Sequence, residues 1–306
     1  MVKVKVPATT ANIGPGFDCL GMALELFNII EVEEIKTGLE IIIPDKDKKY
    51  IENDENNLVY QSMKSLFDKV DCHPKGLRIT LMNNIPLTRG LGSSAACIAG
   101  GMTAANELIG KPLTNSEIIF LAAKMDGHPD NVLPALIGGL TVGCLLENEV
   151  KYVKIDLPSQ LKILVLIPNF HFPTKKARSI LPKSLPFEDA VFNLSRLGLL
   201  VSSLMTDNFD NLPIALQDKI HQPYRKDFIP HWEEITSKLL EFGSRGYFIS
   251  GAGPSIVGFL DKDYEKVRNK TVEFLSKYEE NWEVEILNVS NSGLEVINSE
   301  RSNERY

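Results

Sequence analysis

The chain has 306 residues, 43% hydrophobic and 24% charged, the balance of a folded protein of about two domains, which excludes a fibrous or largely disordered one. Its formal net charge of −7, with no Lys/Arg run longer than a pair, excludes a nucleic-acid polymer as partner. No stretch reaches the ~18 consecutive apolar residues of a membrane span and MVKVKVPATT has no apolar signal core, so a cytoplasmic protein without a membrane partner is expected.

Val2, Val4 and Val6 alternate as in an edge strand, which Pro7 is expected to stop. A Thr-, Asn- and Gly-rich loop follows to Asp18, then a strand-rich stretch from Ile29 to Ile43. Leu58, Ser62, Leu66 and Val70 keep helical spacing, and Leu77 to Leu81 reads as a strand. A helix is predicted from about Ser94 to Ile109, apolar at Ala95, Ile98, Ala99, Met102 and Ala105, and ended by Gly110 and Pro112. Thr114 and Glu117 form a capping box for the next helix, which runs to about Met125.

In the second half KILVLIP, from Lys162, is a continuous buried-strand run. Helices are predicted around 188–206 and 232–242, strands at 246–249 and 256–260, a helix through Tyr264, Val267, Thr271, Phe274 and Tyr278, and a strand from Glu283 to Val289. That strand, helix, strand, strand, helix, strand order is ferredoxin-like. The boundary is set near residue 155, giving domains 1–155 and 156–306, and the polar tail 291–306 is expected to fray. Cys19, Cys72, Cys97 and Cys144 are widely spaced near apolar neighbours and read as reduced core residues, with neither disulfide nor zinc site.

Chemistry concentrates in PLTRGLGSSAA, Pro86 to Ala96. Two glycines admit a ligand close to the backbone, two serines offer hydroxyls, and a helix starts at once, so its free N–H groups and positive dipole end meet at one point. The plainer alternative is a strand-to-helix turn with Ser93 as N-cap. Gly90, Gly92 and Ala95 satisfy the dinucleotide fingerprint, but Asn83-Asn84-Ile85-Pro86 separates them from the preceding strand, and the acidic residue near the expected spacing, Glu107, falls in the same helix. A Walker loop is excluded because Gly110-Lys111 is followed by Pro112. Two further loops stand out: Ser250 to Ser255, readable as a hairpin turn, and Pro7 to Asp18, readable as an irregular crossover.

In this order and spacing the three loops resemble the three motifs of the GHMP kinases, the superfamily of galactokinase, homoserine kinase, mevalonate kinase and phosphomevalonate kinase. Within it the chain is most similar to the homoserine kinases over essentially its whole length, through VPATTANIGPGFDCLG, GHPDNVLPALIGG, TKKARSILP, HQPYRKDFIP and SGAGPSIVGF. The resemblance implies a two-domain α+β GHMP-kinase fold, with an N-terminal ribosomal protein S5 domain 2-like unit and a ferredoxin-like C-terminal unit. It implies ATP and Mg2+ as cofactors, and transfer of the γ-phosphoryl group to the side-chain hydroxyl of L-homoserine. The phosphates would be held by Pro86, Leu87, Thr88, Arg89, Gly90, Leu91, Gly92, Ser93, Ser94, Ala95 and Ala96.

The same resemblance gives the metal Ser94 and Asp126, where the family usually carries Glu, and a water-bridged contact suits the shorter chain. A zwitterionic substrate needs a cationic clamp, and Arg178 and Arg225 match that role. Asn12, Asp18, His128, Asp130 and Asn131, with Gly251 and Gly253, would line the substrate end. Asp130, Asn12 and Arg178 are the implied catalytic residues, although a loose phosphoryl-transfer transition state does not require early deprotonation of the alcohol. Homoserine and ATP are the implied partners, and a homodimer stays open. Two other functions also stay open: a mevalonate- or sugar-type GHMP kinase, and a non-catalytic relative, suggested by Asp126 in place of Glu.

Overall fold

In the computed structural model, which describes residues 1–45, 47–170 and 174–297, the first half of the chain runs β1 (Val2–Ala11), β2 (Leu20–Glu34), β3 (Gly38–Ile42), α1 (Leu58–Val70), β4 (Gly76–Met82), α2 (Ser93–Leu108), α3 (Asn115–Asp126), α4 (Val132–Ile137), β5 (Leu140–Leu145) and β6 (Val150–Ile155). The second half runs β7 (Lys162–Ile167), α5 (Thr174–Ser179), α6 (Phe187–Met205), α7 (Leu212–Ala215), α8 (Gln222–Arg225), α9 (Trp232–Phe242), β8 (Tyr247–Ile249), β9 (Ile256–Leu260), α10 (Tyr264–Leu275), β10 (Glu283–Leu287) and β11 (Glu295–Ile297).

The N-terminal sheet is ordered β11-β1-β2-β4-β3, and β5, followed by β6, pairs with the start of β2. Long β2 therefore serves two neighbours, β4 opposite Ile29–Glu34 and β5 opposite Leu20–Met22. The second sheet is ordered β10-β7-β9-β8 with every pair antiparallel, which is the ferredoxin-like arrangement expected from the element order. From Ile163 to Ile167 the strand is apolar throughout because both faces of β7 are covered. Ile163 and Val165 join the core shared with Leu200 and Leu204 of α6, while Leu164 and Leu166 pack with Ile235 and Leu239 of α9. Each such burial is worth about 1.5–3 kcal/mol, so this strand anchors the sheet from two sides.

Packing also fixes α2, the helix behind the glycine loop. Its two central glycines face opposite ways: a Cβ on Gly100 would meet Ile30 and Val6 of the sheet, and one on Gly101 would meet Ser62 Oγ and the Val59 carbonyl of α1. The helix is clamped between sheet and α1 at contact distance, and its N-terminus can point in one direction only.

Several expectations are corrected. Pro7 does not stop the first strand: β1 continues to Ala11 through a register shift between Pro7 and Ala8, a bulge that tolerates the missing donor. Residues 291–297 do not fray. Leu294 N donates to the Leu136 carbonyl, and β11 pairs with Lys3–Lys5, so this segment belongs to the first sheet; 298–306 lie outside the described residues. Strands β5 and β6 and the short helices α5, α7 and α8 were not expected, because β6 is largely exposed and the helices span only four to six residues. All cysteines are free as expected, yet Cys72 and Cys144 are exposed and not core residues.

Candidate functional site

The loop before α2 is built around Gly90 (φ 78°) and Gly92 (φ 69°). A Cβ on Gly90 would lie 2.2 Å from the Ser250 carbonyl oxygen, and one on Gly92 would lie 1.8 Å from Thr9 Oγ1, so both positions demand glycine twice over. Gly92, not Ser93, is the N-cap, and no side chain caps the helix. The first-turn N–H groups therefore have no side-chain acceptor, and with the positive end of a 16-residue helix they offer a binding place for an anion.

The three special loops hold one another. Ser250 Oγ donates to the Gly90 carbonyl at 2.5 Å and is 2.8 Å from Thr10 Oγ1. Asn12 Nδ2 donates to the Gly251 carbonyl at 2.8 Å, and Gly251 N donates to the Ala11 carbonyl at 2.9 Å. The Ser250–Ser255 segment is indeed a β8–β9 hairpin, and its backbone joins the first loop to the second.

A cavity of about 540 Å³ opens on this junction. Pro86 through Ala95 line it, together with Asn12, Asp18, Asp126, His128, Asp130, Asn131, Arg178, Arg225 and Gly251. Two expected residues are elsewhere: Ala96 is fully buried in the core, and Gly253 sits behind Gly90, its carbonyl oxygen 3.0 Å from where a Gly90 Cβ would be. Arg89 lines the cavity, but its guanidinium donates from Nε to the Pro168 carbonyl (2.7 Å) and from Nη1 to the Leu87 carbonyl (3.2 Å), bracing the loop against the end of β7.

Arg178, on α5, makes a two-pronged bond to Asp18, with Nη1 to Oδ2 at 3.0 Å and Nη2 to Oδ1 at 2.7 Å. Arg225 closes α8 and is 3% exposed; Nε donates to the Ala177 carbonyl at 3.3 Å and Nη1 to the Gly251 carbonyl at 2.8 Å. Burial, with repulsion from Arg178 second, brings its pKa down to about 10, so it stays charged at neutral pH. Asp218 ties the start of α8 by accepting from His221 N and Gln222 N. Buried His221 completes the support through Nε2 on the Gly14 carbonyl at 2.8 Å.

The GHPDN loop brings three more groups together. His128 Nδ1 is bonded to Asp130 Oδ1 and is 3.8 Å from Asp126 Oδ2. Burial works against the charged imidazole, but the Asp130 bond and the charges of Asp130, Asp126 and Asp18 outweigh it and raise its pKa to about 9. Asp126 is pushed up to about 6 by burial, against the pull of His128. Asp130 is 1% exposed, and its Oδ2 has no partner among the described residues. An acceptor left unpaired in a buried carboxylate that lines a cavity is a place for a donor from a ligand. Asn131 is oriented by Thr9, whose hydroxyl donates to Asn131 Oδ1 at 2.8 Å, leaving Nδ2 directed to Asp130 at 3.3 Å.

The far end of the cavity is walled by residues that sequence reading missed, among them Tyr50, Ile51, Asn57, Leu58, Val59 and Cys97. No motif marks them. The one available signal is the apolar pair Tyr50-Ile51 inside an otherwise charged loop. The Cys97 thiol is pushed up to about 12 by burial and is a wall, not a nucleophile.

Residues 57–139 match the family model of the GHMP kinases N terminal domain, and residues 197–277 match GHMP kinases C terminal. The chain is 67% identical to the homoserine kinase of Petrotoga mobilis, with 100% of both chains covered. It is 53% identical to that of Caldicellulosiruptor saccharolyticus over 99% of this chain and 98% of the relative. Among solved structures, homoserine kinase from Cytophaga hutchinsonii aligns with a TM-score of 0.88 at 29% identity, covering 97% of each chain. L. major mevalonate kinase, in complex with R-mevalonate, aligns with a TM-score of 0.70 at 15% identity over 94% of this chain and 95% of that one, a likeness of fold alone.

Proposed function

The chain belongs to the homoserine kinase family of the GHMP kinases, and we propose that it transfers the γ-phosphoryl group of ATP to the side-chain hydroxyl of L-homoserine, yielding ADP and O-phospho-L-homoserine, a step of threonine biosynthesis. The observation that carries the reading is the convergence on one cavity of an uncapped helix N-terminus, two arginines and the unpaired acceptor of a buried aspartate. An anion, a carboxylate and a hydroxyl proton each find a complementary group there. A reaction between two free metabolites belongs in the cytoplasm, and among the described residues no helix is long and apolar enough to cross a membrane.

In this reading the purine and ribose lie toward Tyr50, Asn57 and Val59, and the polyphosphate lies along Gly90 to Ser94. The substrate carboxylate lies at Arg178 and Arg225, where the planar forks accept it in paired hydrogen bonds. Its ammonium group takes the Asp18 carboxylate in exchange for Arg178, a swap of one ion pair for two. The hydroxyl oxygen attacks the γ-phosphorus, the bond to the β–γ bridging oxygen breaks with its electron pair leaving on ADP, and the hydroxyl proton passes to Asp130 Oδ2. Asn131, held by Thr9, keeps that carboxylate in place, and charged His128 keeps its other oxygen occupied.

The residues present fit Mg2+. Ser94 offers a hydroxyl, and Asp126 offers a largely buried carboxylate whose charge is poorly compensated, as its raised pKa records. Bound there with waters and phosphate oxygens, the ion would neutralise charge on the phosphates. Asp126, in place of the family's Glu, faces the cavity, where a water-bridged contact suits its shorter side chain.

The test is turnover with Mg·ATP over homoserine, mevalonate, galactose and serine, read as ADP release. Homoserine is expected to be preferred by at least tenfold in kcat/KM. Turnover confined to mevalonate or galactose would replace the reading, and nucleotide binding without turnover of any acceptor would make the protein a ligand-binding relative.

A further inference from the structure

The two arginines of the clamp share a neighbour that does not itself line the cavity. The Arg178 guanidinium carbon lies over the Phe17 ring at 5.4 Å from its centroid, and that of Arg225 lies over the same ring at 5.3 Å. His221, bonded through Nδ1 to Arg225 Nη1, is tilted 30° against Phe17 with centroids 5.4 Å apart. The two guanidiniums carry like charge and sit on different elements, α5 and the end of α8. Their repulsion is second only to burial among the causes that lower the pKa of Arg225.

Two cations held beside each other need something between substrates to stop them separating. Arg225 is fixed by carbonyl oxygens, but Arg178, with 47% of its side chain exposed, has Asp18 as its charged partner, and the proposed ammonium exchange takes Asp18 away. A phenyl face carries partial negative charge, attracts a guanidinium without competing for its N–H donors, and cannot be titrated or displaced by a carboxylate. Phe17 immediately precedes Asp18, so one short loop supplies both the removable anionic partner and the permanent aromatic one.

We propose that Phe17 is a positioning residue for substrate recognition: its π-face keeps Arg178 and Arg225 together as a preformed two-arginine site for the carboxylate of an α-amino acid. This rests on the reading that these arginines bind the substrate carboxylate. Phe17 is thus a determinant of specificity for amino-acid alcohols over uncharged ones, acting through the arginines and not by contact.

The experiment replaces Phe17 by pentafluorophenylalanine, which keeps the ring's shape and reverses its quadrupole, and compares Phe17→Leu and Phe17→Tyr. Homoserine and ATP affinities are measured by calorimetry, with KM and kcat for each substrate. The expected result is a rise of about five- to thirtyfold in homoserine Kd and KM for the pentafluoro and Leu proteins. ATP affinity and kcat should stay within about twofold, and Phe17→Tyr should behave as the parent. A homoserine affinity changed less than threefold by pentafluorophenylalanine, or an equal loss for ATP and homoserine, overturns the proposal. Should Phe17→Leu fail to fold, the pentafluoro protein decides alone. Arg178→Ala and Arg225→Ala test the underlying reading separately: if neither weakens homoserine binding, the clamp itself is wrong whatever Phe17 does.

Discussion

Thr9 is fully buried and carries two duties through one hydroxyl: it donates to Asn131 Oδ1, and it fills the space in which a Gly92 side chain would lie. Thr9→Val keeps the shape and removes the donor, so Asn131 is free to flip and present its carbonyl to Asp130. We expect kcat/KM to fall roughly tenfold, the cost of one lost buried hydrogen bond of about 1.4 kcal/mol, with Thr9→Ser restoring most of it. Equal losses for Val and Ser would refute the account. His128 carries the pH dependence. Its folded-state pKa is raised from 6.5 to about 9, so the stability it contributes is fully present below pH 6.5 and is lost as pH rises through about 9. The stake is of order 3 kcal/mol, and urea midpoints of the ligand-free protein at pH 6.5 and 9.5 should differ more for the parent than for His128→Gln. Asp126, titrating near 6, lies outside that window.

At the scale of elements, small residues let segments touch. Gly21, in β2, faces the GHPDN loop so closely that a Cβ would lie 1.5 Å from the Asp130 carbonyl oxygen. Gly21→Ala must push Asp130 away from its place, and because reaction geometry tolerates little displacement, kcat should drop by ~10²-fold or more while ATP affinity changes far less. Isothermal titration of ATP beside steady-state kinetics separates the two. A contrasting case is the capping box at α3, where Thr114 Oγ1 accepts from Glu117 N and Glu117 Oε2 accepts from Thr114 N. Thr114→Ala should cost about 1 kcal/mol in unfolding free energy and leave kcat unchanged, because α3 contributes its other end to the site. The capping box and the periodicity of α1, α2, α6 and α9 were legible in the sequence, since each is a local pattern of a few turns. The long reach of β1 through Pro7 was not, because a bulge depends on the partner strand.

At the scale of the whole molecule, the chain's last described strand returns to its first. β11 pairs with Lys3–Lys5, Gly139 N donates to the Ser290 carbonyl at 2.8 Å, and Gly293 packs on the Gly138 backbone, where a Cβ would lie 2.5 Å from Gly138 N. These contacts buttress α4, the helix that follows Asp130 and Asn131. A chain ending at Ser290 should therefore lose kcat as well as melting temperature, and Gly293→Val should reproduce the kinetic loss with the strand still present. Kinetics beside thermal melts check it: full activity in either protein would show that the C-terminal segment supports only the sheet.

The glycine loop was readable because its chemistry requires particular residues at fixed local spacing, whereas Arg178, Arg225 and the GHPDN carboxylates were legible only through the family resemblance; the structure brings nearly all of them to one cavity. The sequence by itself thus determined the glycine-rich loop ahead of a helix and the ferredoxin-like half, which rest on short-range pattern, and the kinase family, which rests on the likeness of whole motifs. Only the tertiary structure decided that Arg178 rests on Asp18, that Phe17 serves both arginines, that Thr9 turns Asn131, and that Tyr50, Asn57 and Cys97 wall the far end. Those contacts join residues as far apart as 17 and 225, and nothing in local spacing records which distant side chains the packing of two sheets will bring within reach.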